Sequence, residues 1–134
     1  MSKHLDKAID YRTNPERMYS CSVSVLLSFS DVTGLTEEQS IKVASCFAGG
    51  LKRGETCGAI CGGLMVMGLL GIKDQETVDR LFETIEKKNE GCTRCKDLLA
   101  MVAAKGEPKK PHCNEMVYDV VRFLDALLEE KGIN

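Results

Sequence analysis

The chain has no tryptophan, three prolines and few aromatic residues (5%). Little in that composition suggests sheet, and much suggests helix. It also lacks an excess of either charge. Lys and Arg total 18 against 20 Asp and Glu, a net charge of −2, and no basic patch stands out, so nucleic acid is not an expected partner. Its first residues, Met1-Ser2-Lys3-His4-Leu5-Asp6-Lys7, contain no apolar core of the signal-peptide kind, and the expectation is a cytoplasmic protein. No internal repeat or low-complexity segment is present. At 134 residues the length predicts one domain with a single core.

Glycine and cysteine are what the sequence does have, and they are concentrated. Residues 49–71 hold eight of the twelve glycines and two of the seven cysteines. The stretch opens as a glycine-rich loop, Gly49 to Glu55. It continues as an uncharged run, Cys57 to Leu70, between charged residues on either side. At about 14 residues this run is short of the roughly 20 needed to cross a bilayer, so no membrane insertion is expected. A helix apolar all round must be buried on every side. Glycine inside a helix costs about 0.5–1 kcal/mol relative to alanine, so Gly58, Gly62 and Gly63 imply close approach of another helix or a ligand. The same glycine face could receive a symmetry mate, which makes a homodimer an expectation. Cys57 and Cys61, four apart, share one helix face.

The rest of the chain predicts about six or seven helices, an all-α single-domain bundle around that buried segment. Lys3–Tyr11 is a short first helix. Pro15 is expected at the first position of a second, Glu16–Ser30, although Val23 and Val25 also alternate as a strand would. Thr36 to Gln39 is a capping box opening Glu37–Phe47. Val78, Leu81, Phe82 and Ile85 mark an amphipathic helix starting at Asp74 or Thr77. Cys92-Thr93-Arg94-Cys95 leads into a short helix over 97–104. After a loop to Pro111, Asn114–Lys131 is a final helix with Val117, Val120, Val121, Leu124, Leu127 and Leu128 inward.

In a reducing compartment, cysteines at this density point to metal binding or redox chemistry. Cys21, Cys57, Cys95 and Cys113 lie at turning points far apart in sequence, the last three in a loop or first helical turn. The free N–H groups of a helix start lower a cysteine's pKa. Three helix starts converging on one place would suit a thiolate-bound cation or cluster.

Thr56-Cys57-Gly58-Ala59-Ile60-Cys61-Gly62 fits the CGAxxG motif of a family of redox-active proteins with four characteristic cysteines, the C_GCAxxG_C_C family. The resemblance extends to the Cys21 segment, the Gly49-Gly50…Arg53-Gly54-Glu55 loop, Cys95 followed by Lys-Asp-Leu-Leu, and Cys113 before the last apolar helix. In related domains joined to electron-transfer cytochromes the four-cysteine site resembles a [2Fe–2S] centre. The resemblance therefore implies Cys21, Cys57, Cys95 and Cys113 as ligands of an iron–sulfur cluster used for electron transfer to a redox partner.

This chain adds Cys46, Cys61 and Cys92, which opens other ligand sets containing Cys61 or Cys92. Cys46 is expected to be a buried small residue. Two further readings stand beside the cluster: thiol–disulfide exchange at Cys92/Cys95 or Cys57/Cys61, or structural zinc on four thiolates. The Cys92/Cys95 pair lacks the βαβ context of a thioredoxin, and Lys96 stands where a haem-attachment motif has His. His112, beside Cys113, is expected to be an exposed loop residue, with ligation as the sharper alternative. His4 is expected at the surface. A turn ion pair between Arg53 and Glu55 is expected, and Met65 and Met67 read as core filler. No acid–base pair points to a named reaction.

Overall fold

A computed structural model describes residues 2–133, and among them the chain is all-helical. Eight α-helices follow one another: α1 (Lys3–Thr13), α2 (Cys21–Ser28), α3 (Ser30–Thr33), α4 (Glu37–Ala44), α5 (Gly58–Leu69), α6 (Gln75–Lys88), α7 (Cys95–Ala104) and α8 (Lys109–Lys131). The helix beyond the expected number is α3, a single turn split from α2 at Phe29.

The central element is α5, as its apolar composition requires. Its first half, Gly58 to Gly63, is buried, and it emerges at Gly68 and Leu69. Each interior glycine has a specific neighbour. A Cβ on Gly62 would stand 2.8 Å from the Ser22 carbonyl oxygen and 2.9 Å from Val25 Cβ on α2. One on Gly63 would stand 2.7 Å from Val120 Cγ1 on α8. Gly62 and Gly63 thus pack against α2 and α8 of the same chain. Around them Phe29, Leu26, Ile60, Leu81, Ile85, Leu124 and Leu127 are fully buried. Each such side chain contributes about 1.5–3 kcal/mol of transfer free energy. Met67 is core and Met65 packs against it, as core filler should.

Local signals place most of the helix ends. Thr36 and Gln39 form the reciprocal capping box, and Asp74 caps α6 by accepting the Thr77 N–H at 3.0 Å. Gly34 and Gly132 close α3 and α8 in left-handed conformation. Val23 and Val25 are helical, and the serines around them allow close packing. Ser22 donates to the Ala44 carbonyl at 2.8 Å, and Ser28 to that of Ser24 at 2.6 Å.

Two starts differ from the sequence reading by five residues. The second helix begins at Cys21 instead of Glu16 because the Asn14 side chain accepts the Glu16 N–H at 3.0 Å in a turn of its own. The Tyr19 N–H then donates to the Tyr11 carbonyl at 3.1 Å, which ties the segment back to α1. The last helix begins at Lys109, five residues early. Pro111 is its third residue, where the absent N–H removes no helical bond. Cys113 therefore sits one turn inside α8.

Candidate cysteine site

Four helices bring Cys21, Cys57, Cys95 and Cys113 to the wall of one cavity of about 210 Å³. Cys21 and Cys95 are the first residues of α2 and α7, Cys57 is the N-cap of α5, and Cys113 is in the second turn of α8. Arg12, Lys109 and His112 complete the polar wall, and Leu98 and Met116 lie on the apolar side. All seven cysteines of the chain are free thiols.

A short antiparallel bridge holds two of these cysteines in register. The Cys57 N–H donates to the Thr93 carbonyl at 2.9 Å and the Cys95 N–H to the Glu55 carbonyl at 2.6 Å, around the Thr56–Arg94 pair. Arg94 Nη2 reaches Glu55 Oε1 at 2.9 Å across it. Glu55 thus pairs with Arg94 and not with Arg53, because the bridge brings residue 94 alongside. Glycines make the close approaches possible. A Cβ on Gly58 would fall on Cys21 Sγ and stand 2.9 Å from the Phe47 carbonyl oxygen. A Cβ on Gly50 would meet Glu55 backbone and, at 2.8 Å, Cys95 Cβ.

Cys57, Cys95 and Cys113 are held toward the protonated form. Burial, with the neighbouring Cys21 adding to it, pushes Cys57 up to about 12, although the amides of Ala59 and Ile60 pull the other way. Burial raises Cys95 and Cys113 too, against the cations Lys109 and, for Cys113, Arg12. The expectation that helix starts lower these values is overturned, because desolvation exceeds the effect of a few amide dipoles. Among the described residues, no three His, Cys, Asp or Glu side chains are gathered closely enough to hold a single metal ion. The thiols surround a space without converging on a point.

The other cysteines lie elsewhere. Cys61 is buried one turn below Cys57, its thiol donates to the Thr56 carbonyl at 3.7 Å, and burial pushes it up to about 11. Cys92 lines a separate hollow with Asp97 and Met101, so the two members of the CxxC pair face different spaces. Cys46 is exposed, contrary to expectation, because α4 ends at Ala44 and residues 45–47 tighten into a different turn.

Both histidines also depart from expectation. His112 belongs to the first turn of α8, not to a loop; it lines the cavity, and its Nε2 is buried with no hydrogen-bond partner. Burial lowers its pKa below the ordinary imidazole value. His4 is buried between Asp125 and Asp31 at the far end of α1. Arg12 and Lys109 were absent from the sequence reading, since isolated cations more than ninety residues apart carry no local signal. Gly58 did carry one, as a glycine in a helix that needed a reason.

No curated protein and no solved structure matches the chain. A family model described as "Putative redox-active protein (C_GCAxxG_C_C)" matches residues 19–127, a span that contains all four cavity cysteines. The chain reads the motif as Cys57-Gly58-Ala59-Ile60-Cys61-Gly62, and it belongs to the C_GCAxxG_C_C family.

Proposed function

We propose that the protein is a redox-active metal-binding protein that holds a [2Fe–2S] cluster through the thiolates of Cys21, Cys57, Cys95 and Cys113 and serves in electron transfer. The observation that carries this reading is the shared cavity: four cysteines from four helices line it, and the three additional cysteines do not. Zinc needs four sulfurs each about 2.3 Å from one ion. Thiols spread over the walls of a cavity suit a binuclear group better, since two metals divide the four sulfurs between them. The cluster would supply one-electron chemistry without proton or group transfer.

The chain's own residues fit an anionic group. Four thiolates make such a centre negative, more so on reduction, and Arg12 and Lys109 in the wall offset that charge and favour the reduced form. His112 lines the cavity, and its Nε2 is a buried polar atom without a partner. Gly58 leaves the room that Cys21 needs. Because Cys57, Cys95 and Cys113 hold their protons, loading must expel them, so affinity rises with pH. Thiol–disulfide exchange has less support. Cys57 and Cys61 are poor nucleophiles at pKa values of about 12 and 11, and Cys92 and Cys95 face different hollows.

The test is an ultraviolet–visible spectrum of protein isolated without oxygen, with iron, zinc and acid-labile sulfide assayed on the same sample. Iron and sulfide in equal amounts, with visible bands that bleach on dithionite addition, are expected. Colourless protein that takes up neither on anaerobic reconstitution would remove the cluster, and zinc alone would make the site structural.

A further inference from the structure

We propose that the rim of the cysteine cavity is a docking surface for a protein partner that presents a carboxylate-rich face. The surface goes beyond the cluster, and rests on the redox reading only for what such a partner would exchange there. Six cations lie in the cavity wall or on the segments next to it. Arg12 and Lys109 line the cavity itself. Lys110 follows Lys109, and its Nζ lies 3.5 Å from Met18 Sδ on the segment leading to Cys21. Lys96 follows Cys95, with its side chain against Gly54. Lys52 and Arg53 project from the turn that begins at Gly49 in the cavity wall.

None of these six forms an ion pair among the described residues, whereas Lys3, Lys42, Arg80, Lys88, Arg94, Lys105 and Arg122 do. No carboxylate lines the cavity among the described residues; on the flanking segments Glu55 is paired with Arg94, Asp97 lines the separate hollow, and Glu16 and Glu107 stand against the six. In a chain of net charge −2, that is a local concentration of uncompensated positive charge.

Apolar surface accompanies it. Met18 is 50% exposed and Leu51 39%, one on each of the two segments that lead to the opening. Leu51 is held out at a conformational cost. Gly49, Gly50, Leu51 and Lys52 are four consecutive left-handed residues, with φ of 57° for Lys52 and 62° for Leu51. A non-glycine residue pays about 1–2 kcal/mol for that conformation. Neither side chain is buried, so burial of these side chains does not offset the cost. Strain of this kind persists where it places groups for use. Exposed apolar groups among cations match the anatomy of a protein interface, and complementary charge speeds encounter.

The test uses metal-free protein, so that its failure is separable from failure to find iron. Labelled polyglutamate serves as the carboxylate probe, oligothymidylate as a second polyanion, and amide chemical shifts locate the contact. Polyglutamate is expected to shift residues 51–54, 96 and 109–110, with affinity falling as salt rises. A triple variant Lys52→Glu, Lys96→Glu, Lys109→Glu is expected to bind about tenfold more weakly or worse. The equally charged Lys73→Glu, Lys87→Glu, Lys131→Glu, at unpaired lysines elsewhere, is expected to bind nearly as the parent. The neutral Lys52→Gln, Lys96→Gln, Lys109→Gln triple repeats the measurement if charge reversal disturbs folding. Shifts scattered over the surface, or equal losses in both triples, would overturn the proposal. So would tighter binding of oligothymidylate, which would make the rim a nucleic-acid face.

Discussion

The two histidines of this chain sit in opposite kinds of environment. His4 is buried and fully satisfied: its Nδ1 lies 2.7 Å from Asp125 Oδ1, its Nε2 3.0 Å from Asp31 Oδ1, and its ring stacks on Phe29 at 4.2 Å between centroids. Lys3 adds a contact to Asp31 at 2.9 Å. His112, at the cysteine cavity, keeps a buried ring nitrogen without a partner. A buried polar group that is fully partnered stabilises a fold, whereas one left without a partner costs stability. The same contrast extends to the surroundings. The His4 end joins α1, α3 and α8 by polar bonds, and the cysteine end has unpaired cations, three thiols whose pKa burial raises, and a left-handed turn.

Substitutions can sharpen that contrast, starting with the largest effect. Gly58→Ala puts a methyl group on Cys21 Sγ and against the Phe47 carbonyl. We expect a loss of about 3 kcal/mol or more by denaturant titration, at the upper end of overpacking, together with loss of metal uptake. A variant that folds normally and loads fully would show that the α2–α5 approach is not rigid. His4→Ala leaves Asp31 and Asp125 without their shared partner and opens space beside Phe29, for an expected loss of about 2–3 kcal/mol. Metal content per folded molecule should not change, because His4 is outside the cavity.

The pH response of the metal-free protein tests the buried thiols. An unfolded cysteine ionises near pH 9, whereas folded Cys57 keeps its proton to about pH 12. Above pH 9 the unfolded state therefore binds fewer protons, and stability falls as pH rises. Between pH 9 and about 12 Cys57 alone should contribute a slope of about 1.4 kcal/mol per pH unit, and Cys61 acts in the same direction. Urea midpoints that are flat across that window would mean that water reaches Cys57. The smallest expected change in stability is that of His112→Ala, within about 1 kcal/mol, since no hydrogen bond is lost. The reduction potential of loaded protein should shift in the same variant, and an unchanged potential would take His112 out of the site.

Legibility in the sequence followed the range of the physics involved. Capping at Thr36, the apolar period of α6 and the glycines of α5 are local or single-helix signals, and each was readable. The start of α2 was not, because the Asn14 side chain competes for the Glu16 N–H. Nor was that of α8, where Pro111 is compatible with the first turn as well as with a loop. Cys46 and His4 changed places with expectation, the first exposed and the second buried. Their burial depends on where α4 stops and on two aspartates 27 and 121 residues from His4. The family pattern singled out Cys21, Cys57, Cys95 and Cys113, and it took the fold to put them around one cavity. The cations and the left-handed turn around it were not legible, because tertiary placement alone gives them meaning.

Seven single Cys→Ser variants, each reconstituted without oxygen and assayed for bound iron, test the central claim most directly. Ser at 21, 57, 95 or 113 should lower iron retention sharply and alter the visible spectrum, while Ser at 46, 61 or 92 should leave both as in the parent protein. Full iron in the Cys113→Ser protein together with loss in Cys61→Ser or Cys92→Ser would contradict the four-cysteine cavity as the site.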